Sequence, residues 1–296
     1  MTIQQYLKQI AGFSNAQIRS MKFTENGICL GGQRARVTTR LSEGDVLEVL
    51  LETKNSSSAH LLSFEQMPDI LYEDADVIAV NKPAGMAVHP SHGHYQDTLA
   101  NQLAYYFRKN TQQVEIHSIG RLDLETSGIV LFAKHRAAAA RLSRQREDGR
   151  LQKTYLAICS GIFAEKNGTL NGAIAPLPGS LMKMCVSKDG KPAVTHYQVQ
   201  KQYMEAALVQ LTLETGRTHQ IRVHMADAGH PLIGDRLYFA DTDQKADVDA
   251  ENCFTGIKRA ALHASRICFY QPFEGKRITV EAPFPEDMKK CLFRDE

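Results

Sequence analysis

His117-Ser-Ile-Gly120-Arg121-Leu122-Asp123-Leu-Glu125-Thr-Ser-Gly128-Ile-Val-Leu-Phe-Ala133-Lys-His135 is the stretch from which the fold can be read. Residues 129–133 are uniformly apolar and follow a glycine, which reads as a strand covered on both faces. The turn ahead of it carries an arginine, two carboxylates, a threonine and a serine. A carboxylate at the mouth of a buried strand is costly and needs a cationic partner or a chemical role. Asp123 is therefore expected to be buried and paired.

Working outward, strands are expected at residues 70–72, 77–81, 153–160, 193–199 and 206–213. A helix with Leu99, Leu103 and Tyr106 or Phe107 on one face lies between the second strand and the turn, and an alanine-rich helix over 136–146 follows it. Strands that outnumber helices without strict alternation argue for an α+β fold with a mixed, largely antiparallel sheet. Lys82-Pro83-Ala84-Gly85 closes one strand, and the turn it forces is expected to present Lys82 at the rim.

The N-terminal 52 residues read as a separate small unit. Thr2 with Gln5 and Ser14 with Gln17 have capping-box spacing, so two short helices come first, followed by short strands near residues 28–30, up to 37 and over 46–50. Arg19, Lys22, Arg34, Arg36 and Arg40 gather on the second helix and around the Gly31-Gly32 turn. The polar run 53–62 reads as a linker, leaving 63–296 as the larger domain.

Composition narrows the classes of function. With 43% hydrophobic and 23% charged residues the chain is of ordinary globular type, and a net charge of only +2 means that any nucleic-acid surface must be a local patch. Six scattered cysteines without a C-x-x-C pair favour buried thiols over zinc ligands or disulfides. Neither a secretory leader nor an apolar run of membrane-spanning length is seen, so a cytoplasmic monomer is the expectation. His89, His92 and His94 lack supporting ligands at metal-site spacing, Gly190-Lys191 fails the phosphate-loop pattern, and the acidic stretch 241–251 has Ala246 where a calcium loop needs glycine. No metal or cofactor is expected.

A second polar block, Thr215-Gly-Arg217-Thr-His219-Gln-Ile221-Arg222-Val-His224, follows the last of these strands. Arg222 is the candidate partner for Asp123, on the ground that polar blocks at strand ends can converge across a sheet.

Taken together, Arg121-Leu122-Asp123 with Thr126-Ser127-Gly128, Lys153-x-Tyr155-x-Ala157, and Gly216-Arg217-x-His219-Gln220-Ile221-Arg222 resemble the signature motifs of the RluA-type pseudouridine synthases. Lys82-Pro83-Ala84-Gly85 and Leu262-His263-Ala264 fit the same family, and the resemblance covers roughly residues 70–290. The one departure is Gly120, where the family usually has histidine. The N-terminal unit resembles a small ribosomal-protein-type RNA-binding module.

The resemblance implies the pseudouridine synthase fold, preceded by an αα-β module, and isomerisation of uridine in structured RNA without a cofactor. Ribosomal RNA is the first substrate it suggests and transfer RNA the second. It implies that Asp123 is the catalytic carboxylate, Tyr155 the residue under the base, and Arg222 the partner of Asp123. Arg121 would fill the space of the flipped nucleotide or hold its phosphate, and Ile221 would pack on the uracil. Lys82, Arg217 and His219 are further substrate-binding candidates, with the 136–146 helix for phosphate contacts; Arg19, Lys22, Arg34 and Arg36 would serve the module. Two rivals stay open: a non-catalytic RNA-binding or ribosome-associated protein on the same fold, and a metal-dependent hydrolase using His92, His94 and Asp123.

Overall fold

The computed structural model describes residues 1–50, 61–91, 93–112, 114–180, 182–239 and 257–292. Most of the expected 53–62 linker, His92, Cys253 and the acidic stretch 241–251 lie outside the described residues.

The chain opens with α1 (Ile3–Gln9) and α2 (Asn15–Phe23). Both capping boxes are formed: Thr2 and Ser14 accept from the backbone N–H of Gln5 and Gln17, whose side chains accept in return. β1 (Ile28–Leu30), β2 (Gln33–Arg34) and β3 (Leu47–Val49) form a small antiparallel sheet in the order β2-β1-β3. Ile3, Leu7, Phe13, Ile18, Met21, Ile28 and Val37 make its core.

The larger part continues with β4 (Ile70–Glu73), β5 (Val77–Lys82), α3 (Leu99–Lys109), β6 (His117–Ser118), β7 (Ser127–Ala133) and α4 (Arg136–Glu147). It goes on through β8 (Gln152–Ser160), β9 (Asn167–Asn171), β10 (Ile174–Pro176), β11 (Met184–Val186), β12 (Val194–Gln202) and β13 (Ala206–Leu213). α5 (Gln220–Asp227), β14 (Leu262–Tyr270), β15 (Arg277–Glu281) and α6 (Glu286–Leu292) complete it. The main sheet runs β4-β5-β7-β14-β8-β13-β12-β9, with β15 beside β14 and β6 beside β7. β7 and β14 pair in parallel and every other described pair in this sheet is antiparallel.

The position of β7 accounts for its apolar run. All of its residues are buried, because Val130 and Phe132 face a core with Leu99, Leu103 and Phe107 of α3, while Ile129 and Leu131 face Ala138 and Leu142 of α4. Its approach to β14 is close: a Cβ at Gly128, whose φ is +105°, would stand 2.3 Å from the Ala264 carbonyl oxygen.

α4 also receives the N-terminal unit. Ala137 joins that unit's core, and Arg141 donates from Nε to the Ala11 carbonyl at 2.7 Å and from Nη1 to the Pro272 carbonyl at 2.6 Å. Arg136 pairs with Glu115 at 3.2 Å. The expectation that this helix offers its arginines to phosphate is thereby corrected for Arg141, whose donors go to carbonyls; Arg136 is exposed despite its ion pair. Arg144 and Arg146 remain exposed.

Candidate active site

The loop between β6 and β7 presents Asp123, and it is strapped from two sides. The backbone N–H of Thr126 donates to the Asp123 carbonyl at 3.1 Å, closing a tight turn. Lys82, at the end of β5, donates from Nζ to the carbonyls of Pro83 (2.9 Å), Met86 (2.7 Å) and Leu124 (3.1 Å). From the other side Arg259 donates from Nη1 to the carbonyls of Glu125 (3.3 Å), Ala260 (3.0 Å) and Leu262 (3.1 Å), and its Nε pairs with Asp287 of α6 at 2.7 Å.

Lys82 is therefore not at the rim. It is 0% exposed, and the proline and glycine that turn the chain supply or position the carbonyls that enclose it. This corrects its assignment as a contact for RNA. Burial lowers its ammonium to about 7, against the favourable charge of Asp123.

The second polar block folds as a turn leading into α5. Thr215 Oγ1 and the Arg217 N–H both donate to Gln220 Oε1, at 2.8 and 3.0 Å, and Gln220 Nε2 donates back to the Val194 carbonyl at 2.9 Å. His219, at φ +56°, turns the chain into the helix, and its Nδ1 is hydrogen-bonded to the Tyr238 hydroxyl at 2.8 Å. Burial lowers its imidazole below the usual range, against the charge of Asp123.

Arg222, in the first turn of α5, forks onto Asp235: Nε to Oδ2 at 2.6 Å and Nη2 to Oδ1 at 2.7 Å. Its remaining nitrogen, Nη1, lies 4.0 Å from Asp123 Oδ2. Burial opposes its charge, but the bonds and charge of Asp235, with Asp123 behind, hold the guanidinium above its ordinary value. The Asp123 side chain is 31% exposed while Asp235 is 0% exposed. Two expectations are corrected here. Asp123 is half-buried, not buried, and the main partner of Arg222 is Asp235.

Tyr155, on β8 opposite Ala264 of β14 and Leu211 of β13, is buried in one cluster with Leu122 and Ile221. Burial, and after it the charge of Asp123, raises its phenol well above the ordinary value, so the hydroxyl keeps its proton at neutral pH. The site thus gathers a solvent-accessible carboxylate, a buried guanidinium at its edge and a protonated phenol, with Leu122 and Ile221 in the apolar cluster around the phenol.

Arg121 is exposed beside Asp123, and Arg217 is exposed with its Nε donating to the Pro192 carbonyl at 3.0 Å. Arg19, Lys22, Arg34, Arg36 and Arg40 are all exposed on the N-terminal unit, away from this loop in sequence. His94 pairs with Asp97 at 2.7 Å, and the His89 ring lies against Phe132. Among the described residues no three side chains of metal-ligating type converge. Sequence reasoning missed Asp235, Tyr238 and Arg259; Gly234-Asp235 is visible as a turn, but nothing in its spacing points to Arg222.

Comparison with known proteins meets this geometry. A model of the RNA pseudouridylate synthase family matches residues 76–227, which include Asp123, Tyr155 and Arg222. An uncharacterized RNA pseudouridine synthase of Bacillus subtilis is 36% identical over 293 residues, covering 99% of this chain and 98% of that protein. The ribosomal large subunit pseudouridine synthase D of Neisseria meningitidis serogroup A is 38% identical over 267 residues, covering 89% of this chain and 67% of that protein. Among solved structures, human RNA pseudouridylate synthase domain containing 1 superposes with a TM-score of 0.59 at 27% identity, covering 81% of this chain and 90% of that one.

Proposed function

Because the chain belongs to the RNA pseudouridylate synthase family, we propose that Asp123 is the carboxylate that carries its reaction and that large-subunit ribosomal RNA is its substrate. The enzyme isomerises uridine to pseudouridine in RNA. The bond from ribose C1′ to uracil N1 breaks, the ring turns, and a bond forms from C1′ to C5. The proton lost at C5 is balanced by one gained at N1, so no electrons or atoms leave.

The observation that carries the assignment is the exposure of Asp123 beside Arg222 and Tyr155. A carboxylate acting on ribose must be reachable by a nucleotide that has left its stack. Asp123 serves either as the nucleophile or as the base that takes a ribose proton. Arg222 keeps positive charge at its edge throughout. Tyr155, with its hydroxyl protonated, offers a ring beneath the base and a hydrogen-bond donor. Ile221 contributes apolar surface to the uracil pocket, and Arg121 fills the vacated stack or holds the flipped phosphate.

Ribosomal RNA is favoured by the similarity to a protein named for the ribosomal large subunit. Residues 1–52 act as an RNA-binding module through Arg19, Lys22, Arg34 and Arg36, which recognise shape and phosphate rather than sequence. Pseudouridine mapping of ribosomal RNA in cells lacking the protein, with and without the wild-type gene restored, tests the substrate. At least one large-subunit site should vanish and return; an unchanged map overturns it.

A further inference from the structure

Beside Asp123 the backbone passes through Gly120 at φ +85°. A Cβ built there would lie 3.6 Å from Arg146 Nη1 and 3.6 Å from Lys153 Nζ. Two cations from different elements, the last turn of α4 and the start of β8, thus flank a notch that glycine leaves open. Among the described residues neither makes an ion pair or a side-chain hydrogen bond. Burial, and after it the charge of Arg146, brings the Lys153 ammonium down to about 8.

Like charges held together without a counter-charge are unfavourable, and an anion between them relieves the repulsion. The position of the notch indicates which anion. Lys153 precedes Tyr155 by two residues on β8, so both side chains stand on one face of the sheet, about 7 Å apart along the strand. Gly120 precedes Asp123 by three residues in the loop. A nucleotide seated over Tyr155 therefore leaves its neighbouring backbone beside the two cations.

We propose that Gly120, Arg146 and Lys153 form a notch that binds an RNA backbone phosphate flanking the target uridine, a site that rests on the assignment of Asp123 and Tyr155 to the uridine pocket. The glycine is part of the device in two ways. It adopts a backbone conformation that side chains disfavour, and it keeps the space between the cations unfilled. A guanidinium can offer two N–H donors to phosphate and the ammonium a compact third.

The test is a titration of the full-length protein with ribosomal RNA purified from cells lacking it, over a range of salt. Lys153→Met and Arg146→Gln should each lower the slope of log affinity against log salt by about 1, and the double variant by about 2. Lys153→Met removes a desolvated charge at similar length, and Arg146→Gln changes an exposed side chain, so neither melting temperature should fall. Wild-type slopes in both variants overturn the notch. Inorganic phosphate at constant ionic strength is a further arm: it should displace RNA from the wild type at concentrations that leave the double variant's binding unchanged, and equal displacement from both proteins would overturn the notch as the place where the backbone phosphate sits. Pseudouridine measured in the same samples separates the two claims. Wild-type protein that makes none while the slopes fall removes the uridine assignment and keeps a phosphate contact; product with unchanged slopes removes the notch alone.

Discussion

Arg222 holds Asp235 through both arms of its fork, at 2.6 and 2.7 Å, and only its third nitrogen is left to face Asp123 at 4.0 Å. The buried member of the pair is Asp235, which also accepts from the backbone N–H groups of Leu237 and Tyr238. One carboxylate fixes the guanidinium, and the guanidinium in turn places positive charge beside the other.

Arg222→Ala should therefore cost stability as well as activity. It strands Asp235, fully buried, without its cation, an expected loss of about 3–5 kcal/mol in denaturant unfolding. Asp235→Asn retains volume and some hydrogen bonding, so it should lose less stability yet still lower the rate of pseudouridine formation by misplacing Arg222. An Asp235→Asn protein with wild-type turnover would dismiss this positioning role.

Lys82→Met tests the strap on the loop that presents Asp123. It strips a donor from the carbonyls of Pro83, Met86 and Leu124, at about 1–3 kcal/mol for each that stays dry. Thermal unfolding should show the loss, and turnover should fall with it because Leu124 adjoins Asp123.

The contrast between these residues and the helices marks what a sequence can disclose. Capping boxes at Thr2 and Ser14 are local, three residues across, so their helices are legible to within a residue or two. The same holds for β7, whose unbroken apolar run records its two covered faces. Lys82 is misplaced by sequence reasoning because a Pro-Gly turn fixes where the chain bends and not what the bend encloses. Arg222 is legible as a partner for a carboxylate, but the choice between Asp123 and Asp235 depends on which of them the fold buries, and that is set by packing far away in sequence. Gly120 stands out as an unusual residue; only its backbone angle and its two cationic neighbours give it a reason.

His263 supplies a pH dependence of stability. It is 1% exposed, hydrogen-bonded through Nδ1 to Ser127 Oγ at 2.9 Å, and among the described residues its Nε2 has no partner. Burial, then the charge of Arg259, lowers it to about 4. The unfolded chain takes up this proton near pH 6.5 and the folded protein only near pH 4, so its contribution is complete above about 6.5 and is lost as pH falls through that window. Fully expressed, the effect is roughly 3 kcal/mol. His263→Gln should flatten the corresponding part of the stability curve between about pH 6.5 and 4; an unaltered slope would contradict it.

The N-terminal cations should act on affinity alone. Replacing Arg19, Lys22, Arg34 and Arg36 by glutamine should weaken RNA binding and lower its salt slope, by roughly 0.7–0.9 for each phosphate that is no longer neutralised. Single-turnover product formation at saturating RNA should stay near the wild-type rate.

The most direct measurement is product formation by purified Asp123→Asn protein on ribosomal RNA from cells lacking the enzyme, beside the wild type and with RNA binding recorded in parallel. The variant should bind that RNA and form no pseudouridine above background; turnover at the wild-type rate would contradict the assignment of Asp123 as the carboxylate on which the reaction depends.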